Sequence, residues 1–210
     1  MEQRVERIRD RFVAAMRNCG TTPAFVPAVL VDNLSNGVSY DHRAVHVSRW
    51  SKLDPAVQQA MQAWAAQGTL GLNAEGQWGE IFNDLLVAHE LGHYLESMAH
   101  HLDDLDYAKN EIDANEIALA FWSIAQDDRQ RLPARIKNYT AFLNALPSPV
   151  PAGSKPNSYF QSHYEQLQTS LAGYGWYQGQ FMDTAWDNYK SRSFCDWVAA
   201  NKPVTPNRAQ

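Results

Sequence analysis

Trp78-Gly79-Glu80-Ile81-Phe82-Asn83-Asp84-Leu85-Leu86-Val87-Ala88-His89-Glu90-Leu91-Gly92-His93-Tyr94-Leu95-Glu96-Ser97-Met98 is the stretch that decides how this chain is read. Its apolar residues recur every three or four positions, the period of an α-helix. They cover most of the circumference, so the spacing predicts one helix from Trp78 to about Leu102 that crosses the core. Residues four apart lie about 40° apart around a helix axis, so His89 and His93 project from one face. Two neutral imidazoles held that way supply two corners of a tetrahedral Zn2+ site. Glu90 lies about 100° round the axis from His89, unsuited to chelating with the pair but placed to act on a water as general base. Gly92 costs about 1 kcal/mol of helix propensity and leaves room for another backbone or a substrate to come close.

Upstream, Val5, Ile8, Phe12, Val13 and Met16 at helical spacing predict an amphipathic helix over Glu2 to Arg17. From Pro23 to Ser48, β-branched residues around an Asn36-Gly37 turn signal predict two or three short strands. Arg43 to Ser48 is the strongest strand candidate, and Pro27 suits a strand start or an edge. Asp54-Pro55 is a helix start signal for a segment reaching about Gln67, followed by a loop from Gly68 to Gly76. Downstream, an acidic turn (Asp103, Asp104, Asp106) leads to a helix over Tyr107 to Ala125, and Pro133 is expected to open another that ends near Leu146. Pro147 to Pro156 reads as a loop, and Tyr159 to Tyr189 as helix with a break around Gly173 to Gly175. The tail from Lys202 is expected to fray. The fold class is therefore α+β and mainly helical: a small sheet in the N-terminal half, a central metal-binding helix, and a helical C-terminal half.

A length of 210 residues suits a single domain spanning 1–210, with 157–201 as a candidate C-terminal helical subdomain. With 45% apolar and 20% charged residues the chain has a globular balance, which excludes a disordered protein. A formal charge of −5 and no Lys/Arg cluster leave no footprint for nucleic acid. No apolar run is long enough to cross a bilayer, so no membrane is expected either. Residues Met1 to Met16 lack the uninterrupted apolar run of a secretory signal, which makes a cytoplasmic location the expectation unless a leader was removed. The two distant cysteines, Cys19 and Cys195, are expected as reduced thiols rather than as a pair.

A catalytic zinc site wants three protein ligands and an open position. A third histidine six residues after His93 would complete one class of zincin, but Ala99 stands there, and His100 is swung about 100° away. Glu96 shares the histidine face, yet three ligands from consecutive turns of one helix surround a tetrahedral ion poorly. The returning helix offers Glu111 with Asn115 at i+4, and Asn115 could orient His89 or His93 through the second imidazole nitrogen. Glu116 and Asp113 are the rivals to Glu111, and His46 on the strand candidate could also face a cleft. Ala114 and Ala118 are small enough for the two helices to pack closely.

His89-Glu90-Leu91-Gly92-His93, followed by Glu111-Ile112-Asp113-Ala114-Asn115-Glu116-Ile117-Ala118, resembles the zincins that bind zinc through two histidines and a downstream glutamate. More narrowly it is similar to the ImmA/IrrE-type metallopeptidases, over residues 81 to 122. The resemblance implies Glu111 as third ligand and a short sheet whose edge strand aligns an extended peptide beside the metal. A helix-turn-helix companion domain is not visible here, so the biological role of those relatives is not carried over.

An oxyanion donor besides the metal is expected from His163, Tyr164, Tyr174 or Tyr177, with His163 and Tyr177 preferred. Tyr94 should point away from the ligand face and serve packing. The leading expectation is hydrolysis of a peptide bond in a peptide or protein substrate, with Glu90 as base and a strand such as Val45 to Ser48 pairing with the substrate backbone. The alternative is a zincin-like module that binds a peptide or protein without cutting it. A di-iron carboxylate bundle would need two Glu-x-x-His pairs, and only Glu90–His93 is present.

Overall fold

The computed structural model describes residues 1–32, 37–99 and 106–202. Asn36, His100, Asp103, Asp104 and the tail beyond Lys202 lie outside the described residues, and so do the expectations that fell on them.

The first helix, α1 (Glu2–Asn18), buries Val5, Ile8, Phe12, Val13 and Met16, the stripe its spacing predicts. Three strands follow: β1 (Ala28–Val31), β2 (Val38–Tyr40) and β3 (Ala44–Val47). Their order is β1-β3-β2, with β1 parallel and β2 antiparallel to β3. The strongest strand candidate therefore lies in the middle of the sheet with both edges paired. That corrects the expectation that Val45 to Ser48 pairs with a substrate; among the described residues β1 and β2 are the outer strands, β1 beside α1 and β2 beside the helix that carries His89. Gly37 leads into β2 at φ +89, and a Cβ there would strike the Phe82 ring at 2.3 Å, so only glycine suits both the turn and the contact.

Helix α2 (Pro55–Gln67) starts as its sequence dictates, with Asp54 accepting from the Ala56 N–H and proline at the first position. The long helix expected from Trp78 is instead α3 (Ala74–Glu80), a π turn at Ile81–Leu85, and α4 (Val87–Met98). The π turn is closed by Leu86 N–H donating to Ile81 O at 2.9 Å. Within it Asp84 is gripped by Arg4 of α1 and by Arg135, which also reaches Glu80 Oε1 at 2.5 Å. Such single π turns inside helices frequently sit at functional sites, and this one ends four residues before His89. Apolar residues cover so much of the circumference here that a one-residue insertion leaves the period unchanged to the eye.

Helix α5 (Tyr107–Trp122) returns alongside α4, and its indole at Trp122 donates to Leu85 O at 3.2 Å. Helix α6 (Gln126–Leu143) begins seven residues before Pro133, which corrects the expected start. Asp127 and Asp128 in its first turn favour that end of the helix dipole, and Pro133 sits inside the helix. The C-terminal half continues with α7 (Pro156–Ser162), α8 (Tyr164–Gln168), α9 (Leu171–Asn188) and α10 (Phe194–Ala200). The break falls before α9, where Ser170 caps the new helix by accepting from Gly173 N–H. Gly173 and Gly175 lie within α9, not in a gap, and Gly175 lets α9 approach Leu146 and Leu143 of the preceding segment.

Cys19, which closes α1, and Cys195 in α10 form a disulfide across a sequence separation of 176 residues. That corrects the expectation of two reduced thiols. Phe12 packs on both Phe121 and Phe194, and this contact brings the ends of α1 and α10 together. Disulfides persist chiefly in oxidising compartments, so the cross-link lends no support to a cytoplasmic location. Among the described residues no helix is long and apolar enough to cross a membrane. The structure is thus mainly helical with one small sheet, and most of its apolar core lies between α1, α4, α5, α6 and the sheet.

Candidate metal centre

The site is built where α4 and α5 touch. A Cβ at Gly92 would lie 2.8 Å from Ala114 O and 3.0 Å from Ala114 Cα, so glycine lets the α5 backbone press against α4. That approach brings Glu111, one turn before Ala114, up to the two histidines. The ring centroids of His89 and His93 are 4.6 Å apart. Glu111 Oε2 lies 3.4 Å from His89 Nε2 and 3.9 Å from His93 Nε2. One ligand atom from each residue fits within a mutual 4.8 Å, and among the described residues this is the group of His, Cys, Asp and Glu side chains that could hold a metal ion.

Each ligand is held from behind. Asn115 Oδ1 is 3.0 Å from His89 Nδ1; an amide oxygen only accepts, so Nδ1 carries a proton and Nε2 is the nitrogen that faces Glu111. Glu96 Oε2, 3.0 Å from His93 Nδ1, fixes the second imidazole in the same way. Glu111 itself accepts from the Tyr174 hydroxyl at Oε1 and from Gln178 Nε2 at Oε2, both at 2.8 Å.

Do these residues fit a metal? Zinc bonds of about 2.0–2.1 Å in a tetrahedron put ligand atoms roughly 3.3–3.4 Å apart, which the 3.4 Å from Glu111 to His89 matches and the 3.9 Å to His93 exceeds by about half an ångström. Charge agrees as well. Glu90, Glu96 and Glu111 are all buried around two imidazoles, an excess of negative charge that a divalent cation would offset. Burial alone pulls His93 down, but the hydrogen bond it donates to Glu96 and the charges of Glu111, Glu96 and Glu90 outweigh it and raise the imidazole to about 9. Burial pushes Glu111 up, and the His89 hydrogen bond, the two imidazoles and Gln178 overcome it, holding the carboxyl at about 2. Glu90 is raised by burial despite the nearby histidines and a backbone hydrogen bond from Tyr40. A raised carboxyl is the condition for moving a proton near neutral pH.

The cluster opens into a cavity of about 520 Å³. Glu90 lines it with the three candidate ligands, and so does β2 through Val38, Ser39 and Tyr40. The two preferred oxyanion donors are placed elsewhere and do not line it, which corrects that expectation. His163 stacks on Tyr159 at 4.0 Å and its Nδ1 is 3.0 Å from Tyr159 O, while the Tyr177 hydroxyl donates to Pro156 O at 2.8 Å within an aromatic cluster. Their neighbours Tyr164 and Tyr174 line the cavity instead. The i, i+4 pair Tyr174–Gln178 was the signal on α9; Tyr177 stands a residue out of that register. Tyr94 is packed under the sheet with its hydroxyl donating to Phe25 O. Among the rival ligands, Asp113 pairs with Lys109 Nζ at 2.5 Å and Glu116 is not part of the cluster. His46 is engaged by Asp32 and Asp41 and does not reach the cavity.

Comparison of the chain with protein-family models, with curated proteins and with solved structures finds no match in any of the three.

Proposed function

We propose that the chain is a zinc-dependent peptidase, with His89, His93 and Glu111 as the metal ligands and Glu90 as the general base. The observation that carries this reading is that Glu90, the three ligands and Val38, Ser39 and Tyr40 of the outer strand β2 all line one cavity. A bound zinc ion would polarise the scissile carbonyl and lower the pKa of a water beside it. Glu90 takes a proton from that water as its oxygen bonds to the carbonyl carbon, and delivers the proton to the amide nitrogen as the C–N bond breaks. The products are a carboxylic acid and an amine. Asn115 and Glu96 keep both imidazoles in the ligating tautomer, and Tyr174 and Gln178 keep Glu111 turned toward them.

The substrate backbone is expected along β2. Residues 37 and 41 of this segment exchange hydrogen bonds with the β3 side, through Ser48 N–H to Gly37 O and Asp41 N–H to Ala44 O. Alternation then turns the backbone groups of Val38 and Tyr40 toward the cavity; the Tyr40 N–H is already donated to Glu90, which leaves Val38 N–H, Val38 C=O and Tyr40 C=O for an extended peptide to pair with. The local resemblance to two-histidine, one-glutamate zincins supports the same reading. The test is Glu90→Gln: zinc content should stay at about one per chain while turnover of an unfolded polypeptide falls about 10²–10⁴-fold. Unchanged turnover in this variant would overturn the role of Glu90. A wild-type protein that binds peptide without cleaving it would return the site to the non-catalytic binding alternative.

A further inference from the structure

The cavity is much larger than a metal centre needs. A metal ion and two waters, at about 30 Å³ per water, would fill a small part of its 520 Å³, a size within the roughly 300–1,000 Å³ typical of ligand sites. The walls also differ in chemistry. Those from α4, α5 and α9 bring His89, Glu90, His93, Glu111, Tyr174 and Gln178. Those from α2, α6 and the residues just after it bring Val57, Met61, Trp64, Phe142, Leu143 and Leu146, with the Tyr139 phenol of α6 as a polar group on the same wall. Trp64 has already spent its one polar group, donating Nε1–H to Asn138 O at 3.3 Å, and it stacks on Phe142 with ring centroids 4.9 Å apart. Its ring therefore offers the cavity carbon and a π face. Charged residues are absent from the described part of this second wall.

We infer that this apolar lobe is a specificity pocket that takes one bulky apolar side chain, aromatic or long aliphatic, from a residue flanking the scissile bond. The inference rests on the peptidase reading for the phrase "flanking the scissile bond". It goes further by naming the substrate class. A peptide paired along β2 sends alternate side chains to opposite faces, so one of them is directed into the cavity while the backbone stays beside Glu90. Met61 supplies a flexible wall that adapts to side chains of different shape.

The test uses two heptapeptides that differ only at the central position, Phe or Ala, and the variants Ala60→Trp and the milder Ala60→Leu, since Ala60 lines the lobe from α2. Binding is read by saturation-transfer NMR on zinc-treated Glu90→Gln protein, and cleavage by mass spectrometry on zinc-treated wild type. The Phe peptide should bind about tenfold or more tightly than the Ala peptide, and that preference should vanish when either Ala60 substitution is added. Cleavage by wild type should show the same preference, at a bond beside Phe. Equal binding of the two peptides, or a preference that survives both Ala60 substitutions, overturns the inference. A binding preference without cleavage of either peptide upholds the lobe and sinks the peptidase reading. Cleavage without preference does the reverse.

Discussion

His46 and His93 are almost equally enclosed, with 17% and 16% of their side chains exposed, and both sit among carboxylates. Their partners are arranged differently. His46, on the middle strand, has Asp32 at Nδ1 and Asp41 Oδ2 3.0 Å from Nε2, out of line for a hydrogen bond but close enough to pair by charge, so an acid stands beside each ring nitrogen. His93 has Glu96 at Nδ1, and its Nε2 is turned to a point shared with His89 and Glu111. The first arrangement is an ion pair complete within the chain. The second leaves two imidazole nitrogens and a carboxylate oxygen converging on one point, within 4.8 Å of one another. A histidine beside acids says little about metal binding until both of its nitrogens are accounted for.

The largest expected effect tests that difference directly. His93→Ala and Glu111→Ala should each take bound zinc from about one per chain to near none by elemental analysis after dialysis. His46→Ala should leave it unchanged, and metal lost from that variant would break the comparison. Next comes the support behind His89. Asn115→Ala frees the Nδ1 side of the imidazole and should weaken zinc binding about 10–100-fold in competition with a chelating dye. An unchanged affinity would mean that packing alone orients His89.

Gly92→Ala should act on stability as well as on the metal. The added Cβ meets Ala114 backbone, which cannot swing aside, so α5 must back away from α4. A loss of about 1–3 kcal/mol in denaturant titration is expected, with weaker zinc binding because Glu111 moves with α5. Stability equal to wild type would show that the helices have slack. The smallest effect belongs to His46. Burial lowers it, but its hydrogen bonding to the Asp32 carboxylate and the negative charge of Asp41 and Asp32 leave it raised. Its contribution is therefore fully present below the unfolded pKa of about 6.5 and lost as pH rises through the raised folded value. Asp41 is held at about 2, chiefly by the Ala44 and Arg43 N–H groups and then by His46, so its share persists until strong acid. His46→Gln should cost at most about 1 kcal/mol near pH 5.5, the range of exposed ion pairs, and less near pH 9. A larger cost at high pH would reverse the sign and refute the pairing.

What the sequence made legible follows the range of the interactions. His89, His93 and their common face are fixed by spacing within one helix. Asn115 and Glu111 needed only a second helix returning along the first, and Gly92 with Ala114 marked where the two could meet. The helix start at Asp54-Pro55 is equally local. The α9 residues were harder, because which of Tyr174 and Tyr177 turns toward Glu111 depends on how the helix is rotated when it docks. The order of the strands was also hidden, since alternation marks a strand without saying which neighbours it pairs. The start of α6 was misjudged because Pro133 is a stronger punctuation mark in sequence than Asp127 and Asp128. The disulfide required knowing that Phe12 and Phe194 meet, which nothing near either cysteine records.

The Cys19–Cys195 link also has a mechanical side. A force applied between α1 and α10 runs through the bridge and bypasses the covalent loop between the two cysteines. With 176 residues separating them, at about 3.5 Å each, roughly 600 Å of contour length stays locked until the bond is reduced. A single-molecule pull should therefore show almost no unravelling in oxidising buffer and a long extension once reductant is added. A motor that threads polypeptide through a narrow pore would meet two strands side by side when it reached the bridge.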